Sequence, residues 1–111
     1  MPLNHISEIK GLENLEKLEW LNLENNRITE IKGLDSLKKL EMLNLSYNGI
    51  SEIKGLDSLE NLEKLMLDYN YILEVKDIKH LKNLAELFFE GNEFDNIDEN
   101  ELPSKDCEVI F

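Results

Sequence analysis

The chain has 111 residues, room for a single domain, and 41% of them are apolar, as in a folded chain rather than a disordered one. Twenty-four acidic side chains against 12 basic ones leave a net charge of -12, which speaks against nucleic acid and anionic membrane surfaces, since both demand a basic face. The acidity suits a protein partner with a basic and apolar surface, and it also favours solubility. Cys107 is the single cysteine, so no internal disulfide can form and nothing points to an oxidising compartment. Met1-Pro2-Leu3-Asn4-His5 has neither the charged nor the apolar part of a leader, and no apolar run approaches the ~20 residues that span a bilayer. These features predict a cytoplasmic protein. Asn44-Leu45-Ser46 matches a glycosylation sequon by chance, since it falls inside a predicted strand.

In chain order, residues 1–12 read as a partial repeat. Asn4, Ile6, Ile9 and Leu12 stand 22 positions before Asn26, Ile28, Ile31 and Leu34, with Met1 and Leu3 where a strand would end. Four units follow, residues 13–34, 35–56, 57–78 and 79–100. Each carries a copy of the stretch Leu18 to Asn26, repeated at Leu40 to Asn48, Leu62 to Asn70 and Leu84 to Asn92. Leu21, Leu43, Leu65 and Leu87 form one apolar column, and Leu23, Leu45, Leu67 and Phe89 the next. Ile28, Ile50, Ile72 and Phe94 form a third, and Ile31, Ile53, Val75 and Ile97 a fourth. A period of this size marks a solenoid, in which each unit is too small to bury its apolar face alone and must stack on its neighbours. Residues 9–30 and 31–52 agree closely enough to suggest duplication of one unit.

The pattern L-x-x-L-x-L-x-x-N-x-I-x-x-I resembles the leucine-rich repeat over roughly residues 4–97. The 22-residue length looks like two of its subclasses. One is the repeat of a protein phosphatase-1 regulatory subunit and its relatives, including an axonemal dynein light chain and the spliceosomal A-prime protein. The other is the bacterial internalin repeat. The resemblance implies an α/β solenoid, an arc with a concave parallel sheet of about five short strands and convex short α or 3-10 turns. It also implies protein binding: in the phosphatase-regulator and dynein-like relatives the concave face grips an enzyme or a motor domain. No partner-specific residue carries over, because the matching residues are the structural ones.

Short alternating strands are predicted at residues 19–23, 41–45, 63–67 and 85–89. Each return limb, such as Gly33 to Leu40, sets leucines three apart, the spacing of a helical turn. Gly11, Gly33 and Gly55 precede these limbs and permit a tight bend; Asp77 replaces glycine in the fourth unit, where an altered bend is expected. Glu8, Glu30, Glu52 and Glu74 stack in one column and Lys10, Lys32, Lys54 and Lys76 in another, which can interleave as weak surface ion pairs. Asp95 to Lys105 is polar, carries Pro103 and reads as a loop. Val109 and Phe111 fall 22 after Leu87 and Phe89, which makes residues 107–111 a capping strand with an edge open to a second copy.

The asparagine column, Asn26, Asn48, Asn70 and Asn92, reads as buried scaffolding whose amides satisfy the turn backbone. His5 and His80 are isolated, no triad, phosphate loop or metal motif is present, and Asp68 and Glu90 are too few for a calcium site. The chain therefore reads as a non-catalytic interaction module without a cofactor. Its binding face is expected on the outward strand positions, with Trp20, Asn22, Met42, Asn44, Met66 and Phe88 as contacts and Tyr47 and Tyr69 just after the strands. Glu19, Glu41, Asp68 and Glu90 form an acidic rim. The competing expectation is a self-associating repeat block, a fragment or an engineered solenoid with no dedicated partner.

Overall fold

Leucines two apart and leucines three apart sort the chain into two kinds of limb, and the computed structural model, which describes residues 5–93 and 97–111, shows both. Met1, Leu3 and Asn4 of the partial repeat, and Phe94, Asp95 and Asn96, lie outside the described residues. Strands β1 (Trp20–Asn22), β2 (Met42–Asn44), β3 (Lys64–Met66), β4 (Glu86–Phe88) and β5 (Glu108–Ile110) form one parallel sheet in chain order. The register advances one repeat per strand: Leu21 pairs with Leu43, Leu43 with Leu65, Leu65 with Leu87, and Leu87 with Val109. The result is a β-solenoid of about four turns. Backbone bonding runs past the strands proper, from Glu41 N–H to the Glu19 carbonyl at one end to Asn25 N–H on the Ser46 carbonyl at the other.

The core follows from this stacking. Leu43, Leu65, Leu45, Leu67, Ile50, Ile72 and Ile53 are fully buried between the sheet and the return limbs. Leu37, Leu59 and Leu81 are equally covered, whereas Leu15 of the first unit is 45% exposed. The limbs are successive i to i+3 turns: Leu37 N–H donates to the Leu34 carbonyl and Leu40 N–H to the Leu37 carbonyl, with the same pattern at Leu56–Leu59–Leu62 and Ile78–Leu81–Leu84. Three residues per turn eclipse positions i and i+3, so leucines spaced by three form one straight line toward the core. An α-helix would rotate them apart. The one 3-10 helix among the described residues, Glu99–Glu101, sits in the segment read from sequence as a loop. Asp98 caps it, its side chain accepting from Asn100 N–H at 2.9 Å.

A second correction concerns the bend before the limb. Gly11, Gly33 and Gly55 adopt left-handed φ of 79°, 74° and 74°, and Asp77 adopts 59° in the same place. The bend is therefore kept rather than altered, because aspartate tolerates this region better than most residues with a Cβ. The room is tight: a Cβ built on Gly55 would lie 2.3 Å from the Ile31 carbonyl oxygen.

Between strand and limb runs the asparagine ladder, with side chains pointing inward as expected. Asn48 Nδ2 donates to the Leu45 carbonyl of its own unit and to the Leu23 carbonyl of the unit before, both at 3.0 Å. Its Oδ1 accepts Ile28 N–H at 3.0 Å. Asn70 repeats the set one unit on, and Asn92 and Asn26 continue it. Other stitches between limbs were not visible in the sequence: Asn61 to the Lys38 carbonyl, Asn83 to the Glu60 carbonyl, and His80 with the Leu56 carbonyl. On the flank, Lys32, Lys54 and Lys76 each pair with the glutamate of the preceding unit, Glu8, Glu30 and Glu52. Exposed pairs of this kind contribute little individually.

Asn48→Ala strands the buried Ile28 N–H and removes one of the donors to the Leu23, Leu45 and Ser46 carbonyls, so it is expected to destabilise the fold by about 1–3 kcal/mol in denaturant unfolding. A loss below about 0.5 kcal/mol would show that the ladder carries no weight.

Candidate interaction face

Because successive strand residues alternate in direction, leucines that point into the core send their neighbours out onto the concave face. Two outward columns result. Trp20, Met42, Lys64, Glu86 and Glu108 share one, and Asn22, Asn44, Met66, Phe88 and Ile110 share the other. Trp20 neighbours Met42, and Met66 neighbours Phe88, as the repeat predicts. The two apolar pairs occupy opposite corners of the sheet rather than one continuous patch. Lys64 stands between them, 3.4 Å from the Glu86 carboxylate and with Nζ 5.8 Å from the centroid of the Phe88 ring.

Exposure separates the expected contact residues. Trp20 is 69% exposed, Met42, Met66 and Phe88 are half-buried, and Glu19 and Asn22 are exposed. Asn44 is only 6% exposed. Its amide donates to Glu24 Oε1 at 3.1 Å and its Oδ1 accepts Ser46 N–H at 3.0 Å, so it organises the face rather than offering itself to a partner. Glu41 is half-buried and lines a hollow beside Trp20.

Just past the strands the chain turns through a left-handed residue in every unit: Asn25, Tyr47, Tyr69 and Gly91, with φ of 59°, 57°, 54° and 75°. Asparagine and glycine suit that conformation; a bulky residue there is an outlier. The two tyrosine rings stack with centroids 4.7 Å apart and planes 16° from parallel, and both rings remain substantially exposed. Gly91 makes room for the stack, since a Cβ there would lie 2.4 Å from Tyr69 Cδ1. The Tyr69 hydroxyl donates to Glu90 Oε2 at 3.1 Å, and that carboxylate raises the phenol above its usual value.

Of the rim acids, Asp68 is tied to backbone. Asp68 Oδ1 accepts Glu90 N–H at 2.7 Å, and Asp68 N–H donates to the Ser46 hydroxyl at 3.1 Å. Partial burial pushes the Asp68 carboxyl up, the Glu90 N–H opposes this, and the Glu90 and Glu24 charges add to the rise. Cys107 is buried, which raises its thiol. Among the described residues no group of three or more His, Cys, Asp or Glu side chains could hold a metal ion.

Three features escaped the sequence reading. Ile110 extends the Met66–Phe88 corner, which the 22-residue step from Phe88 could have shown. The left-handed tyrosines could have been suspected from Asn25 and Gly91 in the same column. Tyr71 and Leu73, 60% and 63% exposed, are apolar residues away from the strands, in two columns held by Arg27 and Gly49, and by Thr29 and Ser51, in the two units before.

The family described as Leucine Rich repeats (2 copies) matches residues 16–60 and 38–80. No curated protein sequence matches the chain. Among solved structures, internalin C2 of Listeria monocytogenes is similar over 95% of this chain, with 28% identity and a TM-score of 0.83. A second internalin of that organism is similar over 98%, with 25% identity and a TM-score of 0.82. A leucine-rich repeat protein of Leptospira interrogans is similar over the whole chain, with 31% identity and a TM-score of 0.80. The chain spans 46%, 32% and 30% of those three proteins, respectively.

The raised Asp68 carboxyl has a consequence for pH. Its folded state holds the proton more tightly than the unfolded state does, so its contribution is present below the ordinary carboxylate range and is lost as pH rises through the folded value. Asp68→Asn keeps an oxygen for Glu90 N–H and removes the charge. The variant is expected to unfold at higher denaturant than the parent at about pH 7 and to match it near pH 3. A variant weakened only at the higher pH would contradict this.

Proposed function

The chain belongs to the leucine-rich repeat family, whose fold is a typical protein-interaction scaffold, and on that premise we propose that its concave face binds a protein partner and performs no catalysis itself. The observation that carries the proposal is the Tyr47–Tyr69 stack. Two bulky residues occupy a left-handed position that Asn25 and Gly91 fill without difficulty in the flanking units. A residue other than glycine, asparagine or aspartate costs about 1–2 kcal/mol there, and the stack returns only about 0.5–1.5 kcal/mol. Strain retained on an exposed aromatic pair is the mark of a surface shaped for use rather than for folding.

Trp20 and Met42 supply a second anchor at one corner, and Met66 and Phe88 a third at the other. Trp and Tyr dominate interface hot spots, and methionine adapts to irregular partner surfaces. Glu19, Glu41, Asp68 and Glu90 surround these anchors, which favours a partner with basic groups beside an apolar element. The acidic rim acts chiefly on the rate of association, so binding slows with added salt.

The test is a partner captured by photo-crosslinking from position 42 and then titrated against variants. Trp20→Ala or Tyr47→Asn is expected to weaken binding by at least about 2 kcal/mol, the hot-spot range. Both variants should stay folded, with Tyr47→Asn within about 1 kcal/mol of the parent, because relief of strain offsets the lost stack. A partner footprint on the return limbs around Lys38 and Lys39 that spares Trp20 and Phe88 would overturn the reading.

A further inference from the structure

At the Trp20 corner the concave face sinks into a hollow of about 430 Å³, in the size range of small-ligand sites. Its apolar wall is the exposed indole of Trp20 with the half-buried Met42 beside it. It is also lined by Glu41, Glu63 and Glu86, with Lys64 as the one cation among them. Lys64 is already paired within the hollow: it sits 3.4 Å from the Glu86 carboxylate, with Nζ 5.8 Å from the centroid of the Phe88 ring. Glu41 and Glu63 have no ion-pair partner among the described residues. Their backbones are joined by the bond from Glu63 N–H to the Glu41 carbonyl at 2.8 Å, so the two residues hold the same place on neighbouring strands and both line the hollow. Ala85 takes the next place in that column and closes the wall without a charge.

These walls define an occupant. An anion is repelled by two uncompensated carboxylates. A purely apolar side chain would strip water from them and give nothing back, which is costly. A long cationic side chain satisfies both demands, because its methylene stem lies along Met42 and the indole while its head reaches the carboxylates. The face of tryptophan is also the strongest aromatic site for a cation. We propose that this hollow receives a lysine or arginine side chain of the partner protein, held between the Trp20 ring and the carboxylates of Glu41 and Glu63. The inference rests on the concave-face reading above and adds the chemistry of one contact.

Trp20 is the only tryptophan of the chain, so its emission reports directly on the hollow. The probes are a capped hexapeptide of alternating lysine and leucine and the same peptide with every lysine acetylated. The lysine peptide is expected to shift Trp20 emission saturably, and the acetylated peptide to bind at least tenfold more weakly. Glu41→Gln with Glu63→Gln should lower the affinity for the lysine peptide at least tenfold. Glu13→Gln with Glu60→Gln, which removes the same charge from the return limbs, should lower it less than threefold. Thermal unfolding of both double variants confirms that they fold. Absence of a saturable shift, equal binding of the acetylated peptide, or equal loss in the two double variants would each overturn the inference. None of these touches the broader reading, which fails instead if the captured partner's footprint leaves the concave face.

Discussion

The fold depends on a polar contact inside an apolar core. Asn48, Asn70 and Asn92 each join three pieces of backbone: the end of their own strand, the matching point of the previous strand, and the isoleucine N–H that follows the previous asparagine. In a low-dielectric interior such bonds are strong when complete and expensive when broken. They are complete here, for no buried side-chain nitrogen or oxygen lacks a partner among the described residues. The leucine columns supply the driving force for stacking but would tolerate sliding. The amide bonds do not, because an oxygen and a nitrogen on one side chain must meet groups 20 and 25 residues earlier. This requirement holds the repeat to its length.

Register at the ladder fixes geometry at the concave face. Strands of three residues would be weak alone, yet β1 to β4 are each preceded by i to i+3 turns and followed by a left-handed residue and a ladder asparagine. The side chains that leave the sheet therefore sit on a rigid frame spaced by about 4.8 Å. On such a frame a partner meets anchors that are already placed, and little is lost in ordering them. The acidic character adds steering to this arrangement, while the interleaved Lys and Glu columns on the flank balance one another and leave the concave acids dominant.

Nearly the whole scaffold was legible in the sequence, because a residue and its counterpart 22 positions later see the same surroundings. Strand register, buried columns and the asparagine ladder all follow from that translation. What was not legible depends on contacts that break the translation. Asn44 alternates outward like Asn22 and, like it, accepts the N–H two residues on, yet its amide also donates to Glu24 and is taken out of reach. Asp77 keeps a glycine bend because a modest rotation to φ 59° suffices. Asp98 turns a segment rich in loop-formers into a capped 3-10 helix. At the candidate site the residue types were legible but their grouping was not. Trp20 and Met42 are separated from Met66 and Phe88 by Lys64, whose orientation toward Glu86 no repeat pattern encodes.

The central claim is that side-chain amides, as much as sheet pairing, lock successive units together. Hydrogen exchange tests it directly at the amides of Ile28, Ile50 and Ile72, which belong to no strand but donate to Asn48, Asn70 and Asn92 at 3.0 Å. The account predicts that they exchange as slowly as the sheet amides of Leu45 and Leu67, opening only when neighbouring units separate. Exchange at the rate of exposed loop amides, with Leu45 and Leu67 still protected, would contradict it.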